Sequence, residues 1–235
     1  MERVLKVPSP GEANHGVALD EQQLMKLVEG FKGTPLYAIV ATAALTGARR
    51  NEILALRWSD VSFESKTLTI ERAVEETKAH GRGTKEPKTA RGKRTITIDD
   101  GLVTLLHAER EKHLRLIAGL PDGADVDLSL IKLPARALMF PGGDGTDPTK
   151  LRDAHAVTRC FVARARALGF RGVRFHDLRG AHETALLDRG VSVHVVAARC
   201  GHDPAVLLRN YAKRTKKADA SAAAVIGAIS KGVLG

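Results

Sequence analysis

The chain has 235 residues, with 37 Lys plus Arg against 27 Asp plus Glu, and its formal net charge is therefore +10. A content of 43% hydrophobic and 27% charged residues is typical of a folded protein and excludes a wholly disordered or collagen-like chain. The length suffices for one sizeable core, and the positive excess favours a polyanionic partner, most simply nucleic acid. The two cysteines, Cys160 and Cys200, predict buried thiols in a reducing compartment. Because no apolar stretch suits a secretory signal or a membrane span, we expect a cytoplasmic protein without a membrane partner.

The first fifty residues predict two helices behind an irregular start. Residues 1–17 hold two prolines, two glycines and no periodicity, which predicts a flexible leader or linker remnant. Asp20 and Gln23 have the spacing of a capping box ahead of a helix. The pair Thr34-Pro35 predicts the start of an apolar helix that ends at Gly47, and a further short helix follows it.

The next fifty residues predict a small antiparallel sheet. Residues 67–77 and 94–98 alternate polar with apolar, β-branched residues, which is typical of strands. The stretch between them, 78–93, is rich in Gly, Lys and Arg and predicts a long basic hairpin loop.

Beyond residue 100 the periodicity is helical. Residues 119–147 form the exception, since their Pro, Gly and Asp content predicts a surface connection around a short apolar stretch, 137–140. We therefore predict a mainly α fold with a small antiparallel β-sheet, organised as the leader 1–17, one domain over 18–213 and a C-terminal tail helix within 214–235. Helices are predicted over 102–118, 149–168, 177–189, 192–199, 203–213 and 217–231.

Four segments carry residues suited to phosphate chemistry. They are TGARRNEILALRWSD at 46–60, PKTARGKRTI at 87–96, HDLR at 176–179, and Gly201-His202 followed by Tyr211. In this order they resemble the catalytic domain of the tyrosine recombinases, the phage integrase family. The resemblance covers about residues 18–213 and implies that family's mainly helical catalytic fold. It also implies DNA strand exchange through a 3′-phosphotyrosyl intermediate, with no metal, ATP or other cofactor.

The resemblance makes Arg49 and Arg179 the phosphate-binding pair. Two guanidiniums can each hold phosphate oxygens through paired N–H donors, which a lysine cannot match. Arg50, the neighbour of Arg49, competes for the first position. In the alternative interpretation, Arg179 is a surface residue that forms an ion pair with Asp177 or Glu183.

Tyr211 is the predicted nucleophile. The chain has two tyrosines, and Tyr37 lies in an apolar helix, where a core position is the simplest interpretation. Tyr211 is flanked by Arg209 and Lys213, which suits DNA better than a core. Because neutral tyrosine is a poor nucleophile at its usual pKa, nearby cations and His176 must stabilise the developing phenolate.

The remaining roles also follow from the resemblance. Lys88 is assigned as the general acid for the 5′-oxygen, His176 as a proton acceptor and orienting group, and His202 as a phosphate contact. Glu52 is assigned as a carboxylate that holds an arginine or histidine in place. The predicted DNA contacts are Arg50, Lys85, Arg91, Lys93, Arg94, Arg209 and Lys213.

The charge is unevenly distributed along the chain. Residues 148–235 hold 16 basic and 6 acidic residues, which is the whole excess, and residues 78–94 hold seven basic and one acidic. These two stretches predict the two basic walls of one DNA-binding cleft.

The predicted function is that of a site-specific recombinase or integrase of bacterial or phage origin. Its expected partner is double-stranded DNA with a specific recombination site, on which the family assembles as a tetramer, with a monomer possible for the unbound chain. A type IB topoisomerase-like enzyme is one alternative. A truncated or noncatalytic DNA-binding regulator is another, because family members usually carry a separate N-terminal DNA-clamping domain. A metallohydrolase is a further alternative, and it would use His176, His182, Glu183, His194 and His202.

Overall fold

The computed structural model describes residues 17–77, 81–87, 92–121 and 123–214, without the side chains of residues 210 and 212–214. The described part confirms a mainly α fold with small antiparallel sheets. Its elements are, in chain order, α1 Glu21–Glu29, α2 Tyr37–Thr46, α3 Arg50–Ile53, β1 Val61–Ser62, β2 Thr67–Ile70, β3 Ala73–Thr77, β4 Gly81–Lys85, β5 Arg94–Thr97, α4 Asp100–Ile117, α5 Ala154–Ala167, α6 Asp177–Asp188, α7 Val193–Cys200 and α8 Pro204–Arg214.

Helix α2 is the centre of the core. Its residues 38–44 are all buried, and α1, α3, α4 and α6 pack around it. Beside α2, the ring of Phe31 stacks on Phe161 with centroids 5.3 Å apart, and Phe161 meets Phe175 edge-on at 5.2 Å. Full burial of a large apolar side chain stabilises the fold by about 1.5–3 kcal/mol, so this core fixes the positions of the elements around it.

The start of α1 agrees with the predicted cap, whereas the start of α2 does not. The capping box of Asp20 and Gln23 is present, since each side chain accepts a hydrogen bond from the other residue's backbone N–H. The apolar helix begins at Tyr37 and not at the predicted Thr34-Pro35. The reason is that the Thr34 hydroxyl donates to the Phe31 carbonyl, which closes a turn after α1 before the new helix starts.

Gly47 ends α2 as predicted, and its position requires glycine for two reasons. Its φ of +67° is left-handed, and a Cβ there would lie 2.7 Å from Cδ2 of His182 and 2.8 Å from Sγ of Cys200. The turn that this glycine permits leads directly to Arg49, the residue that precedes α3.

The sheets differ from the prediction in two respects. Strands β1, β2 and β5 form an antiparallel sheet, with Leu68 opposite Ile96, as the alternating patterns predict. The predicted strand 67–77 is instead two strands, and the predicted loop 78–93 contains β4, which pairs with β3 in a separate two-stranded sheet. Because β4 has the sequence GRGTK, with no apolar residue, it carries no periodic signal, and its pairing with β3 alone makes it a strand.

The predicted surface connection 119–147 contributes to the core through its apolar stretch. Residues 137–140 are buried, and their backbone pairs with the segment that follows α3. The N–H of Trp58 donates to the Ala137 carbonyl at 3.0 Å, and that of Met139 donates to the Leu56 carbonyl at 2.8 Å. This pairing holds the segment between α3 and the first sheet against the buried residues 137–140.

Only one of the two cysteines is buried as predicted. Cys200 is buried at the end of α7, and burial raises the pKa of its thiol to about 11. Cys160 is exposed, because α5 directs its neighbours Val157 and Phe161 into the core and turns Cys160 to solvent.

Two predicted segments lie outside the residues that the structure describes. These are the leader 1–17, of which only Val17 is described, and the tail helix predicted over 217–231. Within the described ranges, none of the helices combines the length and the apolar character needed to cross a bilayer.

Candidate active site

The turn before α3 directs Arg49 toward the loop that follows α7. Its Nη2–H donates to the Gly201 carbonyl at 3.2 Å, and its Nη1–H donates to Oε1 of Glu52 at 2.8 Å. The Arg49 side chain is still 42% exposed. It is therefore held in place and can also reach a ligand.

Arg179 is the most buried of the predicted catalytic residues that the structure describes, with only 2% of its side chain exposed. Its Nη1–H donates to the Gly47 carbonyl and its Nη2–H to the Cys200 carbonyl, both at 2.6 Å. Arg179 is thus no surface residue, and the two bonds join the ends of α2 and α7. Each terminal nitrogen carries a second N–H, so a pair of donors remains for an anion.

Arg49, His176 and Arg179 line one groove of about 440 Å³. Nearby protein atoms desolvate the His176 ring, and together with the Arg179 charge they hold the pKa of His176 below its usual value. A neutral imidazole beside two guanidiniums can accept a proton near neutral pH. The rest of the groove is formed by Ala48, Arg50, Asn51, Thr158, Val162, Arg174 and Phe175.

His202 follows the left-handed Gly201, whose φ is +66°. The His202 N–H donates to the Ala197 carbonyl at 2.9 Å, which fixes the turn after α7. The Nε2 atom of His202 lies 3.1 Å from Nε of Arg179 and 2.8 Å from Oε1 of Glu183. The turn therefore places the second histidine against the buried arginine.

Glu52 holds two arginines, as its predicted role requires. Its side chain is 5% exposed and lies 2.8 Å from Nη1 of Arg49 and 2.8 Å from Nη2 of Arg94. Burial alone would raise the pKa of Glu52, but the hydrogen bonds and charge of Arg94, with the bonds of Arg49, hold that pKa below its usual value. Glu52 is thus an ionised carboxylate behind the groove.

Arg94, predicted to contact DNA, points instead into the protein. Only 6% of its side chain is exposed, and its Nε–H donates to the Arg199 carbonyl at 2.8 Å while its terminal nitrogens hold Glu52. The charge of a buried Glu52 needs a partner, and β5 brings Arg94 to it. Arg94 is therefore a structural partner of Glu52 and not a surface contact.

The other predicted DNA contacts are placed differently from one another. Arg50 lines the groove and donates to the Thr158 hydroxyl. Lys85 forms an ion pair with Glu75 and Lys93 one with Glu86, and Arg209 is exposed on α8. Lys88, the predicted general acid, and Arg91 lie outside the described residues, as does the side chain of Lys213.

Tyr211 lies apart from the other predicted catalytic residues that the structure describes. Its hydroxyl donates to Oδ1 of Asp188 at 2.8 Å. Asp188 is the last residue of α6, nine residues after Arg179, which is about 13.5 Å along a helix axis at 1.5 Å per residue. The hydroxyl thus lies toward the opposite end of α6 from the groove.

A second set of residues, Arg199 and His182, holds the site through contacts that the sequence did not reveal. The Nε–H of Arg199 donates to Nε2 of His182 at 3.3 Å, and its terminal nitrogens donate to the carbonyls of Thr97 and Leu45. Since His182 also contacts the Ala44 carbonyl at 2.8 Å, Arg199 and His182 tie α7 and α6 to α2 and β5. No local pattern in the sequence indicated these contacts, because they join residues of four elements that are far apart in the chain.

The residues considered for a metal centre are not arranged as one. Among the described residues, no three His, Cys, Asp or Glu side chains are placed to hold a metal ion together.

Comparison with known proteins agrees with this architecture. The sequence model of the phage integrase family matches residues 18–218. The chain is 28% identical over 192 residues to a tyrosine recombinase XerC-like protein of Caldanaerobacter subterraneus subsp. tengcongensis. The aligned residues make up 77% of this chain and 46% of that protein. It is 27% identical over 184 residues to the integrase of Staphylococcus phage L54a, covering 77% of this chain and 48% of that integrase. The chain thus spans about half the length of these relatives.

Solved structures share the fold at low sequence identity. The Tn1549 transposon integrase in complex with transposon right-end DNA superposes with a TM-score of 0.71 at 16% identity, over 95% of this chain and 69% of that one. A lambda integrase dimer bound to a core site superposes with a TM-score of 0.54 at 16% identity, over 88% and 51% of the two chains. Because the family model covers most of the chain, the chain belongs to the phage integrase family.

Proposed function

We propose that the chain is the catalytic domain of a site-specific DNA recombinase, which cuts and rejoins strands through a covalent bond between Tyr211 and a DNA 3′-phosphate. The observation that carries the proposal is the groove in which Arg49 and Arg179 converge beside His176. Two guanidiniums and a neutral imidazole are the groups that a metal-independent phosphoryl transfer requires.

The proposed cleavage exchanges the P–O5′ bond for a bond between phosphorus and the Tyr211 oxygen, with one proton removed and one supplied. The Tyr211 oxygen attacks phosphorus and loses its proton to His176, whose lowered pKa keeps the ring able to accept it. The P–O5′ bond breaks, and Lys88 supplies the proton that the leaving 5′-oxygen needs. Arg49, Arg179 and His202 stabilise the charge on the non-bridging oxygens, and the reverse sequence with another 5′-hydroxyl joins the new strand.

This reaction requires α8 to move relative to α6. The Tyr211 hydroxyl must leave Asp188 and approach a phosphate held by Arg49 and Arg179. We infer that bound DNA drives this step, since α8 connects to α7 through the short turn at Gly201–Asp203 and carries the exposed Arg209. A ligand can shift the position of α8 only through contacts that are stronger in the shifted state.

The proposed partner is double-stranded DNA carrying a recombination site, on which four copies assemble. Support comes from two related structures, in which the Tn1549 and lambda integrases are bound to DNA. The tetramer and the bacterial or phage origin remain proposals that follow from the family.

One assay distinguishes the proposed function from its alternatives. The chain is used to select duplexes from a random DNA pool, and the selected sequence is placed in two plasmids and in one supercoiled plasmid. Joined products of the two plasmids indicate a recombinase, whereas relaxation without joining indicates a topoisomerase-like enzyme. Binding without either reaction contradicts the proposal and indicates a regulator.

A further inference from the structure

Glu183 is a buried carboxylate in contact with two of the proposed catalytic groups. Its side chain is 7% exposed, and its Oε1 atom lies 3.1 Å from Nε of Arg179 and 2.8 Å from Nε2 of His202. Those two nitrogens are themselves 3.1 Å apart. The three atoms therefore form a closed triangle in the protein interior.

The fold builds this triangle from two elements. Glu183 and Arg179 are four residues apart in α6 and so lie on one face of the helix. His202 comes to that face from the turn after α7, which the left-handed Gly201 and the bond from the His202 N–H to Ala197 hold in place. Glu183 is thus fixed on one side by its own helix and on the other by a rigid turn.

The contacts determine which edges of the two groups face Glu183. The Nε–H of Arg179 donates to Nε2 of His202 at 3.1 Å, and Oε1 of Glu183 lies 3.1 Å from that Nε and 2.8 Å from that Nε2. The Nε2 edge of the His202 ring and the Nε atom of Arg179 are therefore both directed toward the carboxylate. The Nδ1 edge of the ring then remains for the substrate, and Arg179 presents its terminal nitrogens rather than Nε.

We propose that Glu183 is a positioning residue, which sets the ring orientation of His202 and the guanidinium plane of Arg179 for the attack on phosphate. The inference rests on the proposed function, because it assigns Glu183 to the same site. Glu183 pairs with Arg179 and His202 as Glu52 pairs with Arg49 and Arg94, so one buried carboxylate stands behind each of the two phosphate-binding arginines.

The test measures DNA cleavage and DNA affinity separately for four chains. They are the wild type, Glu183→Gln, Glu183→Asp and Glu111→Gln, the last of which removes an exposed acid that is also four residues from an arginine. The probe is a nicked duplex bearing the sequence that the chain selects from a random pool. For Glu183→Gln we expect the single-turnover cleavage rate to fall about 10- to 100-fold with Kd changed less than threefold, because displacement of a catalytic group by about 1 Å costs up to 100-fold. Glu183→Asp keeps the charge and should recover part of the rate, and Glu111→Gln should match the wild type.

Two further measurements exclude a merely structural role. In a His202→Ala background, Glu183→Gln should cost at least tenfold less than in the wild type, since residues that act as a unit give non-additive losses. In ¹⁵N spectra of histidine-labelled chain, the ring nitrogen signals that His202→Gln removes should shift in Glu183→Gln even without DNA.

The outcomes separate this inference from the proposed function. Cleavage by Glu183→Gln within twofold of the wild type, or losses that multiply with those of His202→Ala, overturns the role of Glu183 alone. If the wild type forms no adduct with DNA, the proposed function is overturned. The spectra still test the contact of Glu183 with His202, because an unchanged His202 signal in Glu183→Gln would contradict that contact.

Discussion

The Tyr211 hydroxyl donates a 2.8 Å hydrogen bond to Oδ1 of Asp188, at the end of α6 remote from Arg179. This bond places the proposed nucleophile apart from the groove that would hold its phosphate. The described state of the chain is therefore one in which the cation groove is formed and the tyrosine is not yet in it.

Replacing Asp188 tests whether that bond restrains the tyrosine. In Asp188→Ala we expect adduct formation to be about fivefold faster at equal DNA affinity, because a hydrogen bond of this kind contributes about 1 kcal/mol. The measurement is the single-turnover rate on the selected nicked duplex. Glu64→Ala, which removes another exposed acid, serves as the control, and a rate for Asp188→Ala that equals or falls below that control contradicts the restraint.

The two arginines that contact Glu52 should affect different properties, since Arg94 should matter for stability and Arg49 for DNA cleavage. Arg94→Ala removes a buried partner of a buried carboxylate and should lower the free energy of unfolding by about 3 kcal/mol. Arg49→Ala removes a 42% exposed side chain, so we expect a stability loss of about 1 kcal/mol or less, together with loss of cleavage. Urea unfolding of both variants beside the cleavage assay measures the contrast. Equal stability losses in the two variants would show that Arg94 does not have the structural role assigned to it.

Lys88 can be tested through the leaving group. A DNA with sulfur in place of the bridging 5′-oxygen expels a thiolate, which needs little help from an acid. Lys88→Ala should therefore lose cleavage of ordinary DNA by about 100-fold or more and regain most of it on the sulfur substrate. Lys85→Ala, in the same basic stretch, serves as the control and should change the cleavage rate of both substrates by the same factor. If the sulfur substrate does not restore cleavage by Lys88→Ala, Lys88 is not the general acid.

His182 should make the fold sensitive to acid. Burial, together with the charge of Arg199, lowers the pKa of His182 from 6.5 to about 4. Between these values the unfolded chain binds a proton that the folded chain does not, so stability falls as the pH falls through this window, by about 3 kcal/mol in total. Urea unfolding from pH 7 to pH 4 should show a flatter decline in His182→Gln than in the wild type. Parallel declines would mean that His182 does not titrate in this way.

Local signals in the sequence predicted much of the fold, and the family resemblance named four of the residues that line the groove, which are Arg49, Arg50, His176 and Arg179. The capping box at Asp20, the end of α2 at Gly47 and the helical start at Asp177 each depend on a few neighbouring residues. The spacing between His176, which directly precedes α6, and Arg179 in the first turn of α6 is likewise local. Such features are determined by propensity and capping, which a single sequence displays.

Contacts between distant segments were not predictable in this way. The pairing of Glu52 with Arg94 and the contact of Glu183 with His202 join residues that only the packed core brings together. Strand β4 has no apolar pattern and exists through its partner strand. The position of Tyr211 at Asp188 depends on how α8 packs on α6, which the flanking charges of Tyr211 did not reveal.

The most direct test of the proposed function is covalent capture of DNA by Tyr211. The chain is incubated, in the presence of a metal chelator, with a nicked duplex bearing its selected sequence, and the products are separated under denaturing conditions. We expect a protein–DNA adduct whose cross-linked peptide contains Tyr211, with no adduct in Tyr211→Phe and an unchanged yield in Tyr37→Phe. An adduct that persists in Tyr211→Phe, or none with the wild-type chain on DNA that it binds, would contradict the assignment of Tyr211 as the nucleophile.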